Sequence, residues 1–262
     1  MIGPLILPVL LAACKPPLQA PENTEDMMVF GFVHYDEPGA VELLVDRLTA
    51  WAPDHLEDLS AGYEITALTE EDVLAAGVPN VNADNILGVM GHAEYSSDPP
   101  TVAYGISYPH HEEINESTVE YHVLDDDGDL ACFLAMDCDA YSYHATEVEK
   151  VPLLGQSTRT YRQEMRWLDL PDGGGPMLIL RQIGDTPIEF KVKGILEVDQ
   201  QYGFTMIYPT DEGARRLEAF WIDARVLGNL TLPPGFAVHQ AAAAMSSTAD
   251  AFDVWVTDHP PP

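Results

Sequence analysis

Basic residues are what this 262-residue chain most lacks: 12 Lys and Arg stand against 43 Asp and Glu, for a formal charge of −31. A phosphate polymer needs clustered cations to displace its counterions, and only Arg215-Arg216 and the pair Lys191 and Lys193 stand close together, which argues against nucleic acid as a partner. The same scarcity leaves no polybasic patch for anionic lipid. No apolar run approaches the roughly 20 residues that a bilayer-spanning helix needs. Catalytic signatures are missing too. There is no Gly-x-Ser-x-Gly elbow, phosphate-binding loop, dinucleotide fingerprint or His-Glu-x-x-His pair, so acyl, phosphoryl and hydride transfer lack a motif and neither metal nor cofactor is expected. Cysteine is scarce, at three residues.

What is present is a foldable chain, with 46% apolar and 9% aromatic residues, ample for a real core. The acidity reads as a strongly solvated surface. Leu5-Ile6-Leu7-Pro8-Val9-Leu10-Leu11-Ala12-Ala13 leads directly into Cys14, and Leu11-Ala12-Ala13-Cys14 resembles the lipobox of bacterial lipoproteins. That resemblance implies cleavage after residue 13, diacylation of the Cys14 sulfur, and a cell-envelope location with the membrane reached through the lipid anchor. One departure is that no Lys or Arg precedes the apolar run. Residues 14–26, rich in proline and polar side chains, read as an extended tether. In such an oxidising compartment Cys132 and Cys138 are expected to form a disulfide, with two buried thiols as the alternative. Two cysteines with only His144 nearby make an incomplete zinc site.

Residues 27–99 read as a mixed, partly helical segment. Asp36 is expected to cap a helix whose face is Val41, Leu44, Val45, Leu48 and Trp51, and Thr69 to cap a short one that stops at Gly77. Residues 27–35 fit strand or helix equally. From 100 to 255 the pattern changes to antiparallel strands followed by a long helix, expected to form one domain with 27–99, with 256–262 a tail. Segments 121–124 and 130–134 are expected to pair as a hairpin across Asp125-Asp126-Asp127-Gly128-Asp129. Further strands are expected at 158–170, 177–183, 188–198, 202–208 and 215–226, and a helix at 234–252. The Asp-rich turn fails the register of a calcium loop, and His110-His111-Glu112-Glu113 reads as a solvated loop.

Alternation in Tyr161-Arg162-Gln163-Glu164-Met165-Arg166-Trp167 sends Arg162, Glu164 and Arg166 toward water and Tyr161, Gln163, Met165 and Trp167 to the other face. The second set mixes aromatic, thioether and amide groups, as an amphipathic cavity lining would. Phe204 and Met206, then Phe220 and Ile222, offer further apolar faces, and Met245 lies on the narrow apolar stripe of the last helix.

An α+β chain whose antiparallel sheet curls around a long C-terminal helix is similar to the helix-grip fold of the START and SRPBCC superfamily over residues 100–255. The resemblance implies an apolar small molecule between sheet and helix, lined here by Tyr161, Met165, Trp167, Phe204, Met206, Phe220, Ile222 and Met245. Members of that superfamily place two helices after their first strand, whereas Tyr63-Glu64-Ile65 is followed by only one. The expected function is therefore a lipid-anchored, non-enzymatic binder or carrier of an apolar molecule. A scaffold with an acidic surface and a solid core is the alternative, and an enzyme with a site gathered from dispersed Tyr, His and acidic residues is a third reading.

Overall fold

The computed structural model describes residues 18–37, 39–78, 86–152, 154–170, 173–226 and 236–261. Cys14 and the lipobox lie outside the described residues. The first helix, α1 (Thr24–Val33), starts where Asn23 accepts a hydrogen bond from the Asp26 N–H, so the tether gives way to helix before residue 27. Six consecutive residues of α1, Met27 to Phe32, are buried, which is why no amphipathic period marked it. Helix α2 (Glu42–Trp51) buries Leu44, Val45 and Leu48 as expected, but it begins at Glu42 and not at Asp36. Gly39 at φ +76° breaks the helical path, and Asp36 is taken by an ion pair with Arg181.

After a 3-10 turn come α3 (Leu56–Ala61), β1 (Tyr63–Ile65) and α4 (Glu70–Ala75). Thr69 and Asp72 complete a capping box on α4, and Gly77 ends the turn at φ +83°. Then follow β2 (Ile86–Tyr95), α5 (Pro99–Ile106), α6 (His111–Ile114) and β3 (Thr118–Asp127). Two helices, α5 and α6, thus lie between β2 and β3, whereas α4 alone separates β1 from β2 among the described residues.

The expected hairpin is corrected at its second arm: 130–134 is helix α7 (Leu130–Leu134), capped by Asp129 accepting from the Cys132 N–H. The partner of β3 is β4 (Ala140–Val151). Between them Cys132 and Cys138 are joined in a disulfide with Cα atoms 5.3 Å apart. The remaining elements are β5 (Gly155–Asp169), β6 (Pro176–Gly184), β7 (Glu189–Phe190), β8 (Leu196–Thr210), β9 (Gly213–Val226) and α8 (Phe236–Asp258). Segments 188–198 and 202–208 are not two strands. Strand β8 runs through Asp199-Gln200 with a bulge that absorbs one residue, and before it lie the two-residue β7 on β5 and an isolated bridge from Ile188 to Val198.

Among the described residues the strands form one nine-stranded antiparallel sheet in the order β1-β2-β9-β8-β6-β5-β4-β3, with β7 on β5. Residues on either side of position 100 thus share one sheet. Both faces are covered. Helices α1 and α2 lie over one, burying Phe204, Met206 and Trp221, while α5, α7 and α8 lie over the other, burying Tyr161, Met165 and Leu178. The fold is α+β, with a helix-grip-like sheet and C-terminal helix plus an N-terminal helical layer on the opposite side. No described helix is long and apolar enough to cross a membrane.

Candidate functional site

Alternation places Tyr143, Ala145, Glu147 and Glu149 of β4 on the α8 side of the sheet, directly beside Arg159, Tyr161 and Gln163 of β5, with Glu147 opposite Arg159 and Ala145 opposite Tyr161. Gln182 of β6 and Arg216, Glu218 and Phe220 of β9 extend this floor. Helix α8 crosses above it with Met245, Thr248 and Phe252, and α6 closes one end with His111 and Ile114. Between them lies a cavity of about 340 Å³, near the lower end of the range for small-molecule sites.

The floor is polar. Arg159 donates through Nη2 to Glu147 Oε2 at 2.6 Å and through Nε at 3.1 Å, while Thr118 donates to Oε1 at 3.1 Å. Burial alone pushes the Glu147 carboxyl up, but Arg159, with Thr118, holds it below its usual value and ionised. Glu149 stands 3.9 Å from Arg159 Nε. Its carboxyl is pushed up by burial and by Glu147, against the pull of Arg159. On β9, Arg216 pairs with Glu218 and donates to the Tyr95 hydroxyl at 3.2 Å.

A second group forms around His111, whose ring stacks on Tyr121 at 3.9 Å and 14° and whose Nε2 donates to the Ile106 carbonyl at 3.1 Å. Burial lowers its pKa, so the ring is neutral near pH 7. The hydroxyls of Tyr121, Tyr143 and Tyr161 form a buried cluster, and burial raises all three well above the ordinary phenol value. They serve as neutral hydrogen-bonding groups. His110-His111-Glu112-Glu113 is thus not simply a solvated loop, because α6 turns His111 inward over Tyr121.

Of the residues expected to line a cavity, Tyr161, Phe220 and Met245 do so. Met165 and Trp167 share the face but lie where α7 fills it: the Trp167 indole N–H donates to the Phe133 carbonyl at 2.8 Å and the two rings stack at 5.4 Å. Phe204 and Met206 are on the opposite face, fully buried in the core beneath α1. Ile222 packs against the small cluster of Leu154, Phe190 and Val198. Glu147, Glu149, Arg159 and Arg216 were missed, since paired charges look like solvent-facing ones in a sequence. The parity of β5 held the available signal, because Arg159 alternates with Tyr161 and Gln163 on the buried side.

Nor does the other face of β5 simply meet water. Arg181 is buried between Glu164 and Asp36, with its guanidinium 4.5 Å from the Tyr35 ring centroid, and Arg166 lies 4.9 Å from the same ring. The α1–α2 link covers the charged residues. Among the described residues no three His, Cys, Asp or Glu are grouped to hold a metal ion.

No protein-family model matches the chain, and no curated protein matches it in sequence. Solved structures with a similar fold include a START superfamily protein from Mycobacterium smegmatis, with 10% identity and TM-score 0.42 over 65% of this chain and 97% of that one. A STAR-related lipid transfer protein from Xanthomonas axonopodis has 11% identity and TM-score 0.42 over 68% and 97%. The human StarD13 lipid transfer and protein localization domain has 16% identity and TM-score 0.38 over 80% and 96%. Likeness of this order concerns general form, and no ligand carries over from it.

Proposed function

We propose that this protein binds or carries a small amphipathic molecule in the cavity between the sheet and α8, while anchored to a bacterial envelope membrane through Cys14. The cavity is the observation that carries the binding reading, since a scaffold with a filled core has no use for a space of about 340 Å³ lined by both charged and apolar groups. The polar floor revises the ligand from a purely apolar molecule to one with a polar head. Native mass spectrometry of the purified protein, with Nile red binding as a neutral probe, tests the reading. Thr248→Trp, on an exposed position at the cavity edge, is expected to abolish the Nile red signal while leaving the thermal midpoint nearly unchanged. A protein that is empty as isolated and takes up no probe counts against binding.

The anchor is supported by the lipobox-like residues and by the chain that follows. Lys15-Pro16-Pro17-Leu18-Gln19 follows Cys14 and could reach roughly 17 Å at about 3.3–3.6 Å per residue, before Ala20 packs on the core and the Pro21 carbonyl accepts from Arg47. Cys14→Ser is expected to remove the acyl mass and move the protein from the membrane to the soluble fraction. Unchanged membrane retention would refute the anchor.

The grouping of Glu147, Glu149, His111 and buried tyrosines also favours a second reading, acid–base catalysis on the bound molecule. It predicts that a ligand recovered from the protein is converted on incubation and that Glu149→Gln stops conversion while binding persists.

A further inference from the structure

We infer that the head of the molecule bound in the cavity is a protonated amine, held by Glu149; this rests on the binding reading above and names its ligand class. The argument is a count of partners. Three carboxylates, Glu147, Glu149 and Glu218, line the cavity against two guanidinium groups, Arg159 and Arg216. Each guanidinium already has its own carboxylate at contact distance: Arg159 holds Glu147 with two hydrogen bonds, and Arg216 pairs with Glu218. Glu147 spends its second oxygen on Thr118. Glu149 is left over, 3.9 Å from a guanidinium committed elsewhere and one-quarter exposed toward the cavity.

Although the buried Nε of Arg216 has no partner, an anionic head entering this space would compete with Glu147 or Glu218 for its arginine, leave a mostly buried carboxylate short of its partner, and meet Glu149 as a like charge. A cationic head has the opposite experience. It finds a carboxylate short of a full partner, with the side chains of Phe220, Phe252 and Met245 for its apolar body. The chain's overall charge of −31 works in the same direction, raising the local concentration of cations and depleting anions around the mouth.

The test uses three molecules that differ only in the head: decylamine, decanol and decanoate, each titrated into the full chain by calorimetry and by displacement of Nile red. Salt of about 0.3 M screens attraction to the acidic exterior but affects a contact pair little. Decylamine is expected to bind about tenfold or more tighter than decanol, and decanoate weakest. Glu149→Gln is expected to erase the advantage of the amine over the alcohol, Glu149→Asp to restore part of it, and Thr248→Trp to abolish uptake of all three. Decanol or decanoate binding as tightly as decylamine overturns the amine inference and leaves the binding reading standing. Failure of all three to bind, with no Nile red signal, overturns both.

Discussion

Replacing Arg159 with methionine is expected to lower stability near pH 7 by roughly 3–5 kcal/mol, on the order of 10 °C in Tm, and to cost much less near pH 4. Glu147 is 4% exposed and depends on Arg159 for two hydrogen bonds and for its compensating charge. Removing the arginine leaves that carboxylate desolvated with only Thr118 donating to it. The pH dependence follows from linkage. In the native protein Glu147 is held below its ordinary pKa, so it contributes stability above the unfolded carboxyl value and loses it as pH falls through the depressed one. Without Arg159 burial wins, the folded pKa rises, and the folded state is penalised as pH climbs through the unfolded carboxyl range near 4 and beyond. Both effects widen the difference between variant and parent with rising pH. The double variant Arg159→Met, Glu147→Met removes both charges and is expected to recover most of the loss. Chemical denaturation of all three proteins at both pH values measures this, and a deficit independent of pH would show that the pair does not hold Glu147 ionised.

This pair also marks the boundary of what the sequence discloses. Strands β5, β6 and β9 and the long α8 are legible because turn residues bracket them and their alternation or period is regular. Strand β8 is legible as a strand over 202–208 but not in its parity, since every residue from Gln201 to Tyr208 is buried and a two-sided strand shows no alternation. That is why Phe204 and Met206 were placed with the cavity when they belong to the α1 side. Strand β2 escaped because Gly88 and Gly91 weaken its propensity. The structure uses them for close approach, as an added Cβ would come within 2.8 Å of the Trp221 indole at Gly88 and 3.0 Å of Met245 Sδ at Gly91. Strand β4 turns Glu147 and Glu149 inward, and only the cross-strand arginine explains why. Tyr161, Phe220 and Met245 were readable from strand alternation and the stripe of α8, whereas the charged half of the site depends on a register between strands that no local pattern specifies.

Trp221→Ala is expected to cost about as much, roughly 3–5 kcal/mol, yet to leave ligand affinity unchanged. Trp221 is fully buried on the α1 side, its indole N–H donates to the Thr66 carbonyl at 2.9 Å, and its ring lies 5.7 Å from Phe32. Truncation opens a cavity there, orphans the Thr66 carbonyl and loosens α1 and the link from β1 to α4. The neighbouring residue Phe220 points the opposite way, into the ligand cavity. The sheet therefore separates the layer beneath α1 from the layer that holds the cavity, and one residue along β9 decides which is affected. Thermal denaturation paired with decylamine and Nile red titration well below the variant's Tm distinguishes the two. If the folded variant bound either probe several-fold more weakly, the N-terminal layer would have to shape the cavity through the sheet, and the two faces could not be treated as independent.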